Sequence, residues 1–404
     1  MRSALATLAV LAVCCFPAAA SALTPDPAAF GAEGDLLLQR VDQLSAQVPA
    51  GDFPVGTGDD GILRFAPGSD WTSGFWAATL WHAFDLQPTD SNAARARAAT
   101  IEHFGFERTK LHDLGFMYGE SSVAAWWRIC GRSQIDCRRF ESSGLRAAAT
   151  LLRLSRTTGQ GIIPMSARTC SDCPSGGTET IVDSMMNLDL LYWAALVTGE
   201  SKYRALARRH ADWVARHLQR SDGSTYQAGR YIRSSKRPRV IRHTHQGLSD
   251  RSVWARGQAW SIYGFADAGR QFSSRKFLAI AEKNANYVAK HLPADGLPLW
   301  DYRARASDPR DVSAGVITAA GLLHLSKACD VVHKGCAQPE RWQPLANRIL
   351  KGSLARLRSH SPAGFLGNQV YKRGASSAWK NDAELIFGLK YALEAIAWSR
   401  YGHI

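Results

Sequence analysis

Residues 178–218 read TETIVDSMMNLDLLYWAALVTGESKYRALARRHADWVARHL. The stretch divides at Gly199. Before it, apolar and aromatic residues surround nearly the whole helical circumference, which places that segment in an interior. After it, the chain is far more charged, as suits a helix with one face in solvent. The same alternation runs through the sequence. WTSGFWAATLWHAF (from Trp71), SSVAAWWRI (from Ser121), VWARGQAWSIYGF (from Val253) and DVSAGVITAAGLLHL (from Asp311) are of the first kind. SSRKFLAIAEKNANYVAKHL (from Ser273) is of the second.

Helical periodicity covers most of the chain and strand alternation is nearly absent. Helices are expected at 34–47, 71–87, 91–107, 119–130, 138–156, 179–198, 201–219, 251–270, 274–291, 311–329, 339–357 and 379–398, with Thr178 opening the sixth. Turn-rich breaks such as APGSD, SDGS, PADGLP and SPAG separate them. The spacing is even and no linker divides the chain, so residues 23–404 are expected to form a single all-α domain. Alternating inner and outer helices suggest hairpins stacked in a ring, an (α/α)6 barrel. An open α-solenoid is the alternative, but no fixed-period repeat is visible.

The first 22 residues read as a secretory signal peptide: Arg2, an apolar run from Leu5 to Phe16, and Ala20-Ser21-Ala22 as the cleavage site. The mature protein is therefore expected outside the cytoplasm, secreted or periplasmic. No later run reads as apolar enough to span a bilayer. Six cysteines remain, in the local pairs Cys130/Cys137, Cys170/Cys173 and Cys329/Cys336. In an oxidising compartment nearest-neighbour disulfides are the simplest reading. The CxxC at Cys170 lacks the second CxxC of a zinc site. The net charge of +14 favours acidic partners such as uronic acids or sulfated sugars. Nucleic acid is not expected, since no binding signature appears and most basic residues are scattered. The one dense run is GRYIRSSKRPRVIRH, residues 229–243.

A carboxylate among apolar residues must be paired, hydrogen-bonded or protonated. Asp113, in LHDLGFMYGE, and Asp183 both meet that description, and we read them as one active site. Asn187 lies four residues beyond Asp183 on the same helical face, either at the site or in a packing hydrogen bond. Arg256 and Trp260 are likewise four apart. An Arg that binds carboxylate beside a Trp that stacks on a sugar ring is a carbohydrate-site pairing; an Arg paired to a structural acid is the alternative. Trp71 opens an inner helix at the rim.

Together these segments are more specific. WTSGFW from Trp71, HDLGFMY from His112, IVDSMMNLDLLYWA from Ile181, THQGLSDRSVWARGQAW from Thr244, PRDVSAGVITAAGLLHL from Pro309 and LIFGLKYALEA from Leu385 resemble, in order, the unsaturated glucuronyl hydrolases. The resemblance implies an (α/α)6 barrel, no metal and no cofactor. It implies that Asp113 and Asp183 are the two essential carboxylates, with Gln246, Arg256 and Trp260 lining the sugar subsite. Three features depart from the family's pattern, one of them the basic run at 229–243 just before THQG, where family members differ in length and content. Gln227 follows Ser224-Thr225-Tyr226 where a histidine is usual, and Gly388-Leu389-Lys390-Tyr391 stands where Gly-Asp-Tyr-Tyr is common.

The family's substrates are lyase-generated oligosaccharides ending in a 4,5-unsaturated uronic acid. Asp183 would protonate C4 of that vinyl ether and then deprotonate the water that attacks C5, with Asp113 raising its pKa. An unsaturated rhamnogalacturonyl hydrolase and a non-catalytic binder of acidic polysaccharide are the alternatives. The basic run is expected to favour an anionic second sugar.

Overall fold

The computed structural model describes residues 21–130, 134–158, 160–165, 178–232, 239–357, 366–371 and 381–402. Among these lie twelve α-helices: α1 (Gly31–Ser45), α2 (Gly74–Leu86), α3 (Asp90–Glu102), α4 (Ala124–Ile129), α5 (Gln134–Arg156), α6 (Leu188–Thr198), α7 (Ser201–His217), α8 (Ala255–Phe272), α9 (Arg275–His291), α10 (Val312–Val331), α11 (Trp342–Leu354) and α12 (Ile386–Tyr401). α4 is entered through a π-helical turn, Gly115–Val123, and α6 through a 3-10 turn, Val182–Asn187.

Every expected helix is present, and its environment follows its composition. The even-numbered helices form the inner layer. Every residue of α10 from Val312 to Ser326 except His324 is buried, as is every residue of α12 from Ile386 to Arg400. In α7 the buried residues Tyr203, Leu206, Ala207, His210, Ala211, Trp213 and Val214 recur every three or four positions, which is one face of a helix. Ends are set locally. Ser274 and Asp311 cap α9 and α10 through side-chain oxygens, and Gly199 closes α6 in the left-handed conformation that glycine tolerates.

Packing decides between ring and solenoid. Consecutive inner helices touch from α2 round to α12, α6 meeting the π-helical turn that leads into α4, and α12 packs back on α2; each outer helix lies against the two inner ones that flank it in sequence, with α1 against both α2 and α12. A solenoid would leave its first and last helices apart. The chain is an (α/α)6 barrel.

Three expectations need correction. Thr178–Ile181 does not begin a helix but forms a strand. Among the described residues six short strands, β1 (Asp52–Thr57), β2 (Leu63–Pro67), β3 (Thr178–Ile181), β4 (Ala228–Ile232), β5 (Arg239–His243) and β6 (Glu384–Leu385), make two sheets of order β2-β1-β6 and β3-β4-β5. They are too short for alternation to show in sequence, and the described parts of the basic run, 229–232 and 239–243, pair as β4 and β5. Second, Val312–Val331 is long and apolar enough to cross a membrane by length and composition, contrary to the reading that no later run was; here it is an inner helix with 83% of its apolar window buried. Third, several helices start three to nine residues later than expected, because a π-helical turn precedes α4, 3-10 turns precede α6 and α11, and a strand precedes α12.

Cys130–Cys137 and Cys329–Cys336 are disulfide-bonded, as their spacing suggested. Cys170 and Cys173 lie outside the described residues.

Candidate active site

Inner helices all run the same way, so their N-termini gather at one mouth of the barrel. Arg256, in the first turn of α8, joins them there. Its guanidinium donates to Asp311 Oδ2 (3.1 Å) and Ser313 Oγ (3.1 Å) at the start of α10, and to the carbonyls of Val370 and Tyr371 (both 2.8 Å) ahead of α12. Six positive helix ends make this mouth suited to anionic ligands.

Asp113 and Asp183 both stand at this mouth. Asp183 lies in the 3-10 turn and Asp113 two residues before the π-helical turn. The two turns are fastened together: Asn187 Oδ1 accepts the backbone N–H of Gly115 at 2.7 Å. Position 115 has to be glycine, since a Cβ there would lie 2.3 Å from the carbonyl oxygen of Met186.

Asp183 is buried, and its Oδ2 has no hydrogen-bond partner. Burial pushes its pKa up to about 7; Asp113 adds to the rise, while Arg256 and His245 oppose it. Burial also raises Asp113, with Asp70 contributing, against the pull of His112, whose Nε2 is 3.2 Å away. Burial thus outranks the carboxylate neighbour in holding the Asp183 proton, while Asp113 acts in the expected direction. A carboxyl that titrates near neutrality can donate a proton and then accept one.

The remaining expected residues surround this pair. Trp71 is partly exposed at the rim; its Nε1 donates to the Tyr371 hydroxyl at 3.0 Å, and the two rings stack at 6.2 Å. Gln246 donates to the Tyr371 carbonyl at 3.1 Å. Trp260 is almost wholly buried against Phe116 and Tyr391. Arg256 fulfils the structural alternative, paired to Asp311, while its charge also reaches Asp183. Asn187 and Gln227 have their polar atoms taken up by protein. Gln227 Oε1 accepts from Thr244 Oγ1 (2.6 Å), His245 N (2.8 Å) and Gln246 N (2.9 Å), and its Nε2 donates to Gln246 Oε1 (2.7 Å). It organises the THQ segment.

Sequence reasoning missed Asp70, His245 and Tyr371. Tyr371 has no patterned neighbour that could have marked it. His245 sits inside THQG and was passed over for Gln246. A 690 Å³ surface cavity by Asp222, Lys283 and Arg303 holds neither aspartate.

The other departure, Lys390, lies in the barrel wall. Its ammonium bonds Glu120 (2.7 Å) and Glu394 (2.8 Å), and Glu394 also meets His324 (3.1 Å), which bonds Asp267 (2.8 Å). These residues line a 430 Å³ cavity that also reaches Leu196, Arg270 and Trp398 near the C-terminal ends of inner helices.

An (α/α)6 barrel whose mouth holds a buried, proton-retaining carboxyl beside a second one defines a glycoside hydrolase. Comparison narrows this. No family model matches the chain. It is 34% identical over 340 residues to the unsaturated glucuronyl hydrolase of Bacillus sp. (strain GL1), covering 81% of this chain and 85% of that protein. It is 28% identical over 299 residues to the unsaturated chondroitin disaccharide hydrolase of Streptococcus pyogenes serotype M1, 72% of each. Among solved structures, an unsaturated glucuronyl hydrolase specific for heparin superposes with TM-score 0.78 at 29% identity, covering 91% of this chain and 96% of the other. The chain belongs to the unsaturated glucuronyl hydrolase family.

Proposed function

We propose that this enzyme releases the 4,5-unsaturated uronic acid from the non-reducing end of lyase-generated oligosaccharides by hydrating the C4=C5 vinyl ether. The observation that carries the mechanism is Asp183: buried, with Oδ2 unpartnered and a pKa near 7. Its proton goes to C4, and positive charge develops at C5 and the ring oxygen. The Asp183 carboxylate then takes a proton from the water that adds to C5. The hemiketal opens and the reducing-end sugar leaves. Burial keeps Asp183 protonated, and the charge of Asp113 adds to it. Because attack is at C5, carboxylate spacing does not predict anomeric outcome as in ordinary glycosidases. The test is loss of the conjugated chromophore's ultraviolet absorbance from an unsaturated disaccharide, in wild type and in Asp183→Asn. Binding without absorbance loss in the wild type supports the non-catalytic alternative.

Export is part of this reading. Both described disulfides suit an oxidising compartment. Leu23 N lies 3.3 Å from Asp330 Oδ2, so cleavage after Ala22 would set a new ammonium against that carboxylate. The intact mass of the exported protein tests the site of cleavage.

The β4–β5 hairpin supports a preference for an anionic second sugar. Arg239 and Arg242 are exposed on it, although Arg242 also bonds the His217 carbonyl. Arg233, Lys236 and Arg237 lie outside the described residues. Arg239→Ala is expected to raise KM for a sulfated disaccharide more than for an unsulfated one, and added salt to do the same. Equal effects on both substrates leave the hairpin without a part in selection.

A further inference from the structure

Glu179, His243 and His245 transfer no proton in the reaction above, yet they converge. Glu179 is on β3, His243 ends β5 and His245 follows two residues later. Register brings the first two to one face: Glu179 pairs with Arg230 and His243 with Ala228, and these partners are two apart on β4. His245 is pinned through its backbone N–H to Gln227 Oε1. One ligand atom from each of the three residues lies within 4.8 Å of the others.

The spacings are informative. His243 Nε2 is 3.3 Å from Glu179 Oε2, whereas His245 Nε2 is hydrogen-bonded to Oε1 at 2.5 Å, a bond that an ion would replace. The edge of a tetrahedron with bonds of about 2.1 Å is roughly 3.4 Å. His243 Nε2 is buried without a hydrogen-bond partner, although the carboxylate is so near. The 3.3 Å separation suits two ligands of one ion. Arg230 Nε donates to Glu179 Oε2 at 3.0 Å, the kind of supporting bond that fixes a ligating carboxylate.

We propose that Glu179, His243 and His245 form a binding site for a divalent cation of the zinc class. Two imidazoles with one carboxylate favour such an ion over calcium or magnesium, which take mostly oxygen ligands. The site adjoins the catalytic pair, since Glu179 is four residues before Asp183 and His245 acts on it electrostatically. A bound dication would stabilise the Asp183 carboxylate and deplete the protonated form, so zinc is expected to inhibit.

The test uses the full mature chain, without an affinity tag and freed of metal by chelator. Zinc is titrated calorimetrically, and cobalt(II) by its visible spectrum. One site in the micromolar range or tighter is expected, with the intense bands of tetrahedral cobalt. His243→Ala and Glu179→Gln should each weaken it at least tenfold, with melting temperature confirming that both remain folded. His243→Asn serves if either does not. Absence of saturable binding, or binding of equal strength in wild type and His243 variants at another of the chain's twelve histidines, overturns the proposal.

Discussion

Asn187 Oδ1 accepts the backbone N–H of Gly115 at 2.7 Å, and this bond ties the Asp183 turn to the Asp113 turn. Its partners are separated by 72 positions in sequence. Each lies within four residues of one of the aspartates.

The first prediction follows from that bond. Asn187→Ala leaves a buried N–H unpaired, which destabilises by roughly 1–3 kcal/mol. It also frees the two turns to drift. kcat should fall about tenfold or more, while KM changes little, because Trp71, Gln246 and Arg256 are held by other contacts. A KM-dominated effect in steady-state kinetics would show that Asn187 serves binding instead.

Asp183→Asn should reduce kcat at least a hundredfold, the usual scale for a positioned proton donor. The same change should stabilise the fold. Its folded pKa, about 7, exceeds the ordinary 3.8, so the native state binds more protons than the unfolded state between those values. Stability therefore falls as pH rises from about 4 to 7 and then levels. Asparagine does not titrate, so denaturant melts should show the variant's advantage growing across that window. Activity of the wild type should decline above about pH 7.

Gln227 supports Gln246 through paired amides and collects three donors at Oε1. Gln227→Ala removes all of these and should raise KM about tenfold. Gln227→Glu keeps an acceptor for the three donors but sets two oxygens together at Gln246, so it should lie between wild type and alanine. Equal KM in both variants and wild type would show that the THQ segment holds its shape unaided.

In the ion network behind the site, burial works against His324 protonation, but Asp267 and Glu394 overcome it and raise the pKa to about 9. A pKa raised above the unfolded 6.5 gives stability that is complete below pH 6.5 and lost as pH passes 9. His324→Gln should flatten that loss, read from denaturant midpoints at pH 6.5 and 9.5. Lys390→Met should destabilise by roughly 3–5 kcal/mol, since Glu120 and Glu394 would share a buried wall without their cation.

Burial pattern made the barrel legible. A helix apolar on all sides has to be enclosed, so alternation of such helices with amphipathic ones already implied two layers. Asp113 and Asp183 stood out for a related reason: a carboxylate amid apolar residues needs an explanation wherever it falls. Ring closure was different, because contact between α12 and α2 depends on the summed rotation of every hairpin between them. So was the short sheet at 178–181, whose strands exist only because β4 is there to pair. The sequence likewise showed Arg256 and Gln227 as polar residues beside aromatic ones, but not whether they would face a sugar or the protein. Their partners, Asp311, Tyr371 and Thr244, are 17 to 115 positions away. Hydrogen bonds over such separations follow from the three-dimensional path of the backbone, which local periodicity does not encode.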